Sequence, residues 1–98
     1  MTIKELKTLD HFIERTSMWI YPIDRNTITS FIHGFQAGSD NKCFTSTLKN
    51  HLESKHNIYG SNQGWPNQVS LYAEKKEMNW SNAFFELGKI ILKELKKL

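Results

Sequence analysis

The stretch from residue 79 to residue 98, NWSNAFFELGKIILKELKKL, decides the fold class. Its apolar side chains recur every three or four residues, which is the period of an α-helix buried along one face. Asn79 stands where an N-cap residue is expected. The stripe consists of Trp80, Phe84, Leu87, Ile91, Leu95 and Leu98, and Phe85 and Ile90 widen it. The stretch therefore predicts a long amphipathic helix that packs against other helices.

Four segments upstream have the same helical spacing, at residues 2–16, 24–40, 43–60 and 64–77. The first opens with Thr2 and Glu5 in the positions of a capping box, and we expect Ile3, Leu6, Leu9 and Ile13 to form its buried stripe. In the second, either Asp24 or Asn26 is suited to cap the helix, and Gly38 is expected to end it. The third is expected to end where Asn57 and Gly60 permit an exit, and the fourth to begin near Pro66, which a first helical turn tolerates.

The predicted architecture is all-α, a single domain over residues 1–98 that forms a bundle of five helices. Gly34 and Gly88 lie inside two of these helices, although glycine costs about 1 kcal/mol relative to alanine there. We interpret both glycines as points where two helices cross closely. The pair Trp65 and Trp80 begins helices, and we expect both to pack in the core.

The net charge of +3 comes from one end of the chain. Residues 89–98 carry four lysines and one glutamate, so the remainder is neutral. A nucleic-acid-binding protein usually spreads its bases over one folded face. Lysines in the last turns of a helix are explained by the partial negative charge at the helix C-terminus. Charge alone therefore does not indicate a nucleic-acid partner.

The single cysteine, Cys43, cannot form an internal disulfide, and the N-terminal residues show no secretory pattern. No segment approaches the roughly 20 apolar residues that cross a bilayer. We expect a cytoplasmic protein that does not enter the membrane.

No catalytic or metal-binding constellation is recognisable in the sequence. None of the four histidines has another histidine at i+4, and the spacing of His51 and His56 predicts that they occupy different faces of a helix. Neither a phosphate loop nor a nucleophile turn is present. We therefore expect no enzyme activity, no metal and no cofactor.

A helix-turn-helix regulator is the alternative, because residues 27–55 contain two helices in tandem. The recognition face would consist of Ser46, Thr47, Lys49, Asn50 and Ser54. However, Glu53 would repel phosphate groups, and the connecting segment is longer than the usual three or four residues. DNA binding therefore ranks below protein binding.

Protein binding is favoured by the aromatic content, which exceeds what so small a core needs. Tryptophan and tyrosine commonly anchor protein interfaces. Trp19 and Tyr21, on a predicted loop with Asp24 nearby, are the aromatic residues that we expect to contact a partner.

Two stretches carry a resemblance to a known class of proteins. They are WIYPIDRNTITSFIHGFQAG at residues 19–38 and FTSTLKNHLESKHNIYGSNQGWPNQVSLYAEKKEMNWSNAFFELGKIIL at residues 44–92. They resemble small bacterial immunity proteins of contact-dependent growth inhibition and related polymorphic toxin systems. The resemblance implies a cytoplasmic inhibitor that binds a cognate toxin domain, a nuclease, and occludes its active site.

Many such toxins have basic active sites, which their inhibitors cover with carboxylates. This chain departs from that pattern because it is basic overall. Its local acids are nevertheless expected to form a complementary patch, and the candidates are Asp24, Asp40, Glu53, Glu74 and Glu77. The oligomeric state of the free protein is left open.

Overall fold

A computed structural model describes residues 1–60 and 64–97, and within these residues the chain forms five α-helices and no strand. The helices are α1 (Ile3–Glu14), α2 (Arg25–Ser39), α3 (Cys43–His56), α4 (Gly64–Lys76) and α5 (Trp80–Lys96). A short 3₁₀ helix, Thr16–Met18, follows α1. The radius of gyration is 12.6 Å, close to the ~13 Å expected of a compact domain of this size. The predicted all-α bundle of five helices is confirmed.

Three helices begin at the caps that the sequence indicated. Thr2 and Glu5 form the capping box of α1, in which each side chain accepts a hydrogen bond from the backbone N–H of the other. Asp24, rather than Asn26, caps α2 and accepts from the N–H of Thr27. Asn79 caps α5. These bonds satisfy N–H groups that have no partner inside the helix.

Gly38 does not end α2, contrary to the prediction. The helix continues to Ser39, and Asp40 adopts the left-handed conformation with φ of 52°. Aspartate and asparagine are among the few residues that tolerate this conformation. Asn57 ends α3 in the same way, with φ of 54°, as predicted.

The start of α3 is capped by Asn41, whose Oδ1 accepts from the backbone N–H of Cys43 at 2.8 Å, and also by a residue of another helix. Lys42 precedes α3 and offers no side-chain cap. The buried side chain of Gln36, on α2, instead accepts hydrogen bonds from the backbone N–H of Thr45 at 3.2 Å and from its hydroxyl at 2.9 Å. This contact fixes α3 relative to α2 and could not be predicted from local sequence.

Helix α5 is the centre of the bundle and contacts each of the other four helices. Its buried stripe contains Ala83, Phe84, Leu87, Gly88, Ile91, Leu92 and Leu95. The predicted member Leu98 lies outside the described residues. Trp80 and Phe85 are partly buried against the core, whereas Ile90 is exposed.

The buried face of α1 differs from the predicted stripe at two positions. Ile3 is 73% exposed, whereas Phe12, which was not assigned to the stripe, is fully buried. Ile3 follows the cap at the very start of the helix, where its side chain extends past the packed face. Phe12 instead continues the row from Leu9 and stacks on Phe31 of α2, with ring centroids 3.8 Å apart.

The two helical glycines have different roles. At Gly88 an added Cβ would lie 2.6 Å from Cδ1 of Ile13, so α1 and α5 cross closely there, as expected. At Gly34 an added Cβ would meet nothing within 4 Å, and the residue is exposed. The interpretation of Gly34 as a helix crossing is therefore wrong.

None of the helices in residues 1–60 and 64–97 combines the length and the apolar character that a membrane span requires.

Candidate functional site

The connection between α1 and α2, residues 15–24, presents large apolar side chains to solvent. Thr16 is buried and Ile20 packs against the core, so the backbone of the connection is attached to the bundle. The side chains between and after these two residues face outward: Met18, Trp19, Tyr21 and Ile23 are all exposed. Tyr21 is 89% exposed. Apolar side chains clustered in this way mark an interaction surface more often than isolated ones do.

Trp19 is held in one orientation although it is 43% exposed. Its indole Nε1–H donates a hydrogen bond to Nδ1 of His11, on α1, at 2.8 Å. The indole ring also meets the rings of His11 and Phe31 edge to face, at centroid distances of 5.6 and 5.5 Å. A fixed aromatic side chain loses little conformational entropy when a partner covers it.

Two shallow grooves meet at Trp19. The first, which we call the α1 groove, has a volume of about 480 Å³ and is lined by Ile3, Lys4, Lys7, Thr8, His11 and Trp19. The second, which we call the Tyr21 groove, has a volume of about 550 Å³ and is lined by Trp19, Ile20, Tyr21, Asn26, Thr27, Ser30 and Phe31. Trp19 therefore lines both a basic groove and an uncharged one.

The structure brings together three of the seven residues expected to contact a partner. Trp19, Tyr21 and Asp24 all belong to the α1–α2 connection. The carboxylate of Asp24 is occupied as the cap of α2, where it accepts from the backbone N–H of Thr27 at 2.9 Å. Asp24 remains exposed, so its free lone pairs can still face a partner.

The other four acidic residues lie on other elements or at the far end of α2. Asp40 is at the opposite end of α2 from Asp24, and a helix of 15 residues separates them by about 22 Å. Glu53 is half-buried on α3, while Glu74 and Glu77 are exposed at the end of α4. Asp24 and Asp40 thus cannot belong to the same compact acidic patch.

A second cluster of polar side chains joins α3, α4 and α5. The rings of His51 and His56 have centroids 5.3 Å apart, and His56 meets the ring of Tyr72 edge to face at 5.1 Å. The hydroxyl of Tyr72 donates a 2.6 Å hydrogen bond to Glu86. The expectation that the two histidines occupy different faces of α3 is wrong, because both rings turn toward the seam with α4 and α5.

His51 is enclosed at one end of this cluster. Its side chain is only 10% exposed, and its Nδ1 lies 3.3 Å from Oε1 of Glu94. Among the described residues neither ring nitrogen has a hydrogen-bond partner, so the approach of Glu94 has the distance of an ion pair but not the angle of a hydrogen bond.

The pKa values of two members are shifted. Burial lowers the pKa of His56, and the positive charges of His51, Lys76 and Lys75 lower it further. Burial raises the pKa of Tyr72 to about 12, with the hydrogen bond to Glu86 adding to the effect. The cluster therefore favours the neutral imidazole of His56 and the protonated phenol of Tyr72. Sequence periodicity gave no signal for it, because its members converge from three helices.

This polar cluster does not form a metal site. Within residues 1–60 and 64–97, no three histidine, cysteine or carboxylate side chains converge with the geometry of a metal site. The donors of the cluster are instead spread along a chain of pairwise contacts.

The two tryptophans of the 64–80 region pack in the interior, as expected. Trp65 is buried, and its ring lies 5.9 Å from that of Phe84. Trp80 stacks on the same phenylalanine at 5.6 Å, and its Nε1–H donates to the backbone carbonyl of Pro66 at 3.0 Å. They staple α4 to α5, so Trp19 is the tryptophan available to a partner.

Comparison with known proteins adds no further assignment. No family model, curated protein or solved structure matches this chain.

Proposed function

We propose that this protein binds another protein through the α1–α2 connection. The observation that carries the proposal is the row of exposed apolar side chains Met18, Trp19, Tyr21 and Ile23 on a segment that Thr16 and Ile20 attach to the bundle. Leaving such side chains in water forgoes roughly 25 cal/mol for each Å² of apolar surface. A partner that covers them recovers this free energy.

We propose further that the partner is a bacterial toxin domain and that the chain is its immunity protein. The resemblance of residues 19–38 and 44–92 to immunity proteins supports this assignment. The proposed toxin is a nuclease, and the inhibition is steric. On this proposal the protein itself has no catalytic role, and its surface only needs to be complementary to the region around the active site of the toxin.

The size of the protein is sufficient for this mechanism. A stable interface buries about 800 Å² on each partner, and the accessible surface of this chain is 6087 Å². The connection and its two grooves supply a fixed aromatic residue, Trp19, and a freely exposed one, Tyr21. Tryptophan and tyrosine are the side chains that most often dominate the binding energy of an interface.

Co-expression with a toxin gene found adjacent to the gene of this protein tests the proposal. We expect this protein to restore growth of cells that express the toxin and to purify with it as a stoichiometric complex. The purified complex should lack nuclease activity, which should return when the inhibitor is removed by denaturation and the toxin is refolded. A toxin whose activity is unchanged by an excess of this protein would contradict the assignment.

The same experiment separates protein binding from the DNA-binding alternative. The exposed face of α3 carries Ser46, Lys49, Asn50 and Ser54, with Thr47 half-buried beside them. A regulator that used this face would retain duplex DNA at moderate salt and would need no stoichiometric protein partner. Recovery of DNA alone would therefore favour the regulator.

A further inference from the structure

The α1 groove carries positive charge that the described residues do not neutralise. Lys4 and Lys7 line it, and neither forms an ion pair with a described residue. The two acids of α1 nearest to these lysines in sequence do not line the groove and contact other groups. The carboxylate of Glu5 accepts from the backbone N–H of Thr2 at 2.8 Å, and Asp10 pairs with Lys96.

The lining of the α1 groove combines this charge with apolar surface. No carboxylate contributes to its described lining, whereas Ile3 and Trp19 border it with exposed apolar side chains. A ligand that matches both features combines negative charge with a large apolar group. A purely apolar ligand would leave two lysines desolvated without partners, which is unfavourable.

The neighbouring Tyr21 groove has a different character. Its polar lining consists of the uncharged Asn26, Thr27 and Ser30. The hydroxyl of Thr27 already donates to the backbone carbonyl of Pro22 at 2.6 Å. The α1 groove is therefore the one that distinguishes ligands by their charge, whereas the Tyr21 groove accepts uncharged groups.

We infer that the α1 groove binds an acidic segment of the partner protein that carries a large apolar side chain. The inference rests on the proposed function, since it names the part of the toxin that contacts Trp19. A basic catalytic cleft would be repelled by Lys4 and Lys7, so the inferred acidic segment lies outside that cleft. Opposite charge across this contact accelerates association.

A matched pair of double variants tests the inference in the complex. K4E/K7E reverses the charge of the groove. K49E/K89E makes the same change in total charge at two exposed lysines that lie in the middle of α3 and α5 and do not line the groove. We expect K4E/K7E to raise the Kd for the toxin at least about tenfold at low ionic strength, mainly through slower association, and the control to change it by less than about threefold.

The outcomes separate this inference from the proposed function. If both double variants bind the toxin as tightly as the wild type, the acidic-segment inference fails and the immunity assignment stands. If the wild type binds no toxin, the assignment fails. The groove is then tested without a toxin.

The toxin-independent test uses a synthetic peptide, acetyl-Glu-Asp-Leu-Glu-Phe-Glu-Asp-amide, and a counterpart with lysine at each acidic position. Titration into the ¹⁵N-labelled protein should shift the amide signals of Lys4 and Lys7 and the indole signal of Trp19 with the acidic peptide only. K4E/K7E should abolish these shifts, and thermal unfolding should show that it is folded. Equal shifts with both peptides, shifts elsewhere or no shift at all would overturn the inference.

Discussion

The indole N–H of Trp19 donates a 2.8 Å hydrogen bond to Nδ1 of His11. Because Nδ1 accepts, the neutral imidazole carries its proton on Nε2. This bond ties the α1–α2 connection to α1 at the point where the two grooves meet. Trp19, which lines both grooves, is thus fixed before a partner arrives.

Replacing Trp19 by alanine should weaken partner binding strongly. A central aromatic anchor typically contributes at least about 2 kcal/mol, so we expect the Kd for the toxin to rise about 30-fold or more. Calorimetry or surface plasmon resonance measures the change. Tyr59 is also an exposed aromatic residue but lies after α3, and Y59A is the control expected to stay within about threefold. Equal losses in the two variants would argue against the α1–α2 connection as the contact surface.

The contribution of the hydrogen bond itself is tested by H11F. Phenylalanine keeps an aromatic edge beside the indole but cannot accept the hydrogen bond. A partly exposed bond of this kind contributes about 0.5–1.5 kcal/mol, so the Kd should rise about two- to tenfold. The indole N–H signal of Trp19 should move and exchange faster with solvent. H33F makes the same change at an exposed histidine next to Trp65 and should leave the Trp19 signal in place.

The two helical glycines should respond in opposite directions to alanine. G34A adds a methyl group where nothing lies within 4 Å and should stabilise the protein by up to about 1 kcal/mol through helix propensity. G88A places Cβ 2.6 Å from Cδ1 of Ile13, at the end of a flexible side chain. Overpacking typically costs about 1–3 kcal/mol, and the gain in helix propensity offsets about 1 kcal/mol of it, so we expect a net loss of up to about 2 kcal/mol. Urea unfolding measures both.

The contact between Gly88 and Ile13 predicts a non-additive pair. I13V removes Cδ1 and leaves room for the new methyl group, so G88A/I13V should be more stable than the sum of the two single effects. If the stability effects of G88A and I13V simply added, the added methyl group would not contact Cδ1 of Ile13 at the crossing of α1 and α5.

Local signals in the sequence predicted the parts of the fold that depend on neighbouring residues. The caps at Thr2, Asp24 and Asn79 and the exit at Asn57 follow from the hydrogen-bonding and backbone preferences of single side chains. The wrong prediction at Gly38 also came from such a local preference. Glycine favours the end of a helix but does not require it, and α2 continues to Ser39.

Features that depend on tertiary placement could not be predicted. Nothing local distinguishes Gly34 from Gly88, since only the approach of Ile13 makes one of them necessary. The exposure of Trp19 and Tyr21 was expected from their place on a loop. The lysines of the α1 groove were not, because only the folded connection brings Trp19 beside α1.

Acidification should destabilise the protein through His56. Its pKa is lowered in the folded state by burial and then by His51, Lys76 and Lys75, while Glu86 opposes the shift. The unfolded chain therefore takes up the proton first, and stability falls as the pH drops below the ordinary histidine value of 6.5. The loss is complete once the pH passes below the lowered pKa.

The difference between the wild type and H56Q isolates this contribution. Urea unfolding at a series of pH values should show a smaller loss on acidification for H56Q, since glutamine does not titrate. An identical pH dependence in both proteins would show that His56 is not held neutral by its surroundings.

Alkaline pH should destabilise the protein through Tyr72. Its pKa is raised from 10.0 to about 12 by burial and by the hydrogen bond to Glu86, so the folded state favours the protonated phenol. The stability contribution is complete below pH 10.0 and is lost as the pH rises toward 12, because the unfolded chain ionises first. Y72F should cost about 1 kcal/mol near neutral pH, for the 2.6 Å hydrogen bond, and should lose less stability in that alkaline range.

Phenolate absorbance during titration of the wild type should show one tyrosine ionising late, and E86Q should make this step earlier while leaving it above pH 10.0, since burial is the larger cause. A late step that survives in Y72F would assign the raised pKa to another tyrosine and would remove Tyr72 from the polar cluster of α3, α4 and α5.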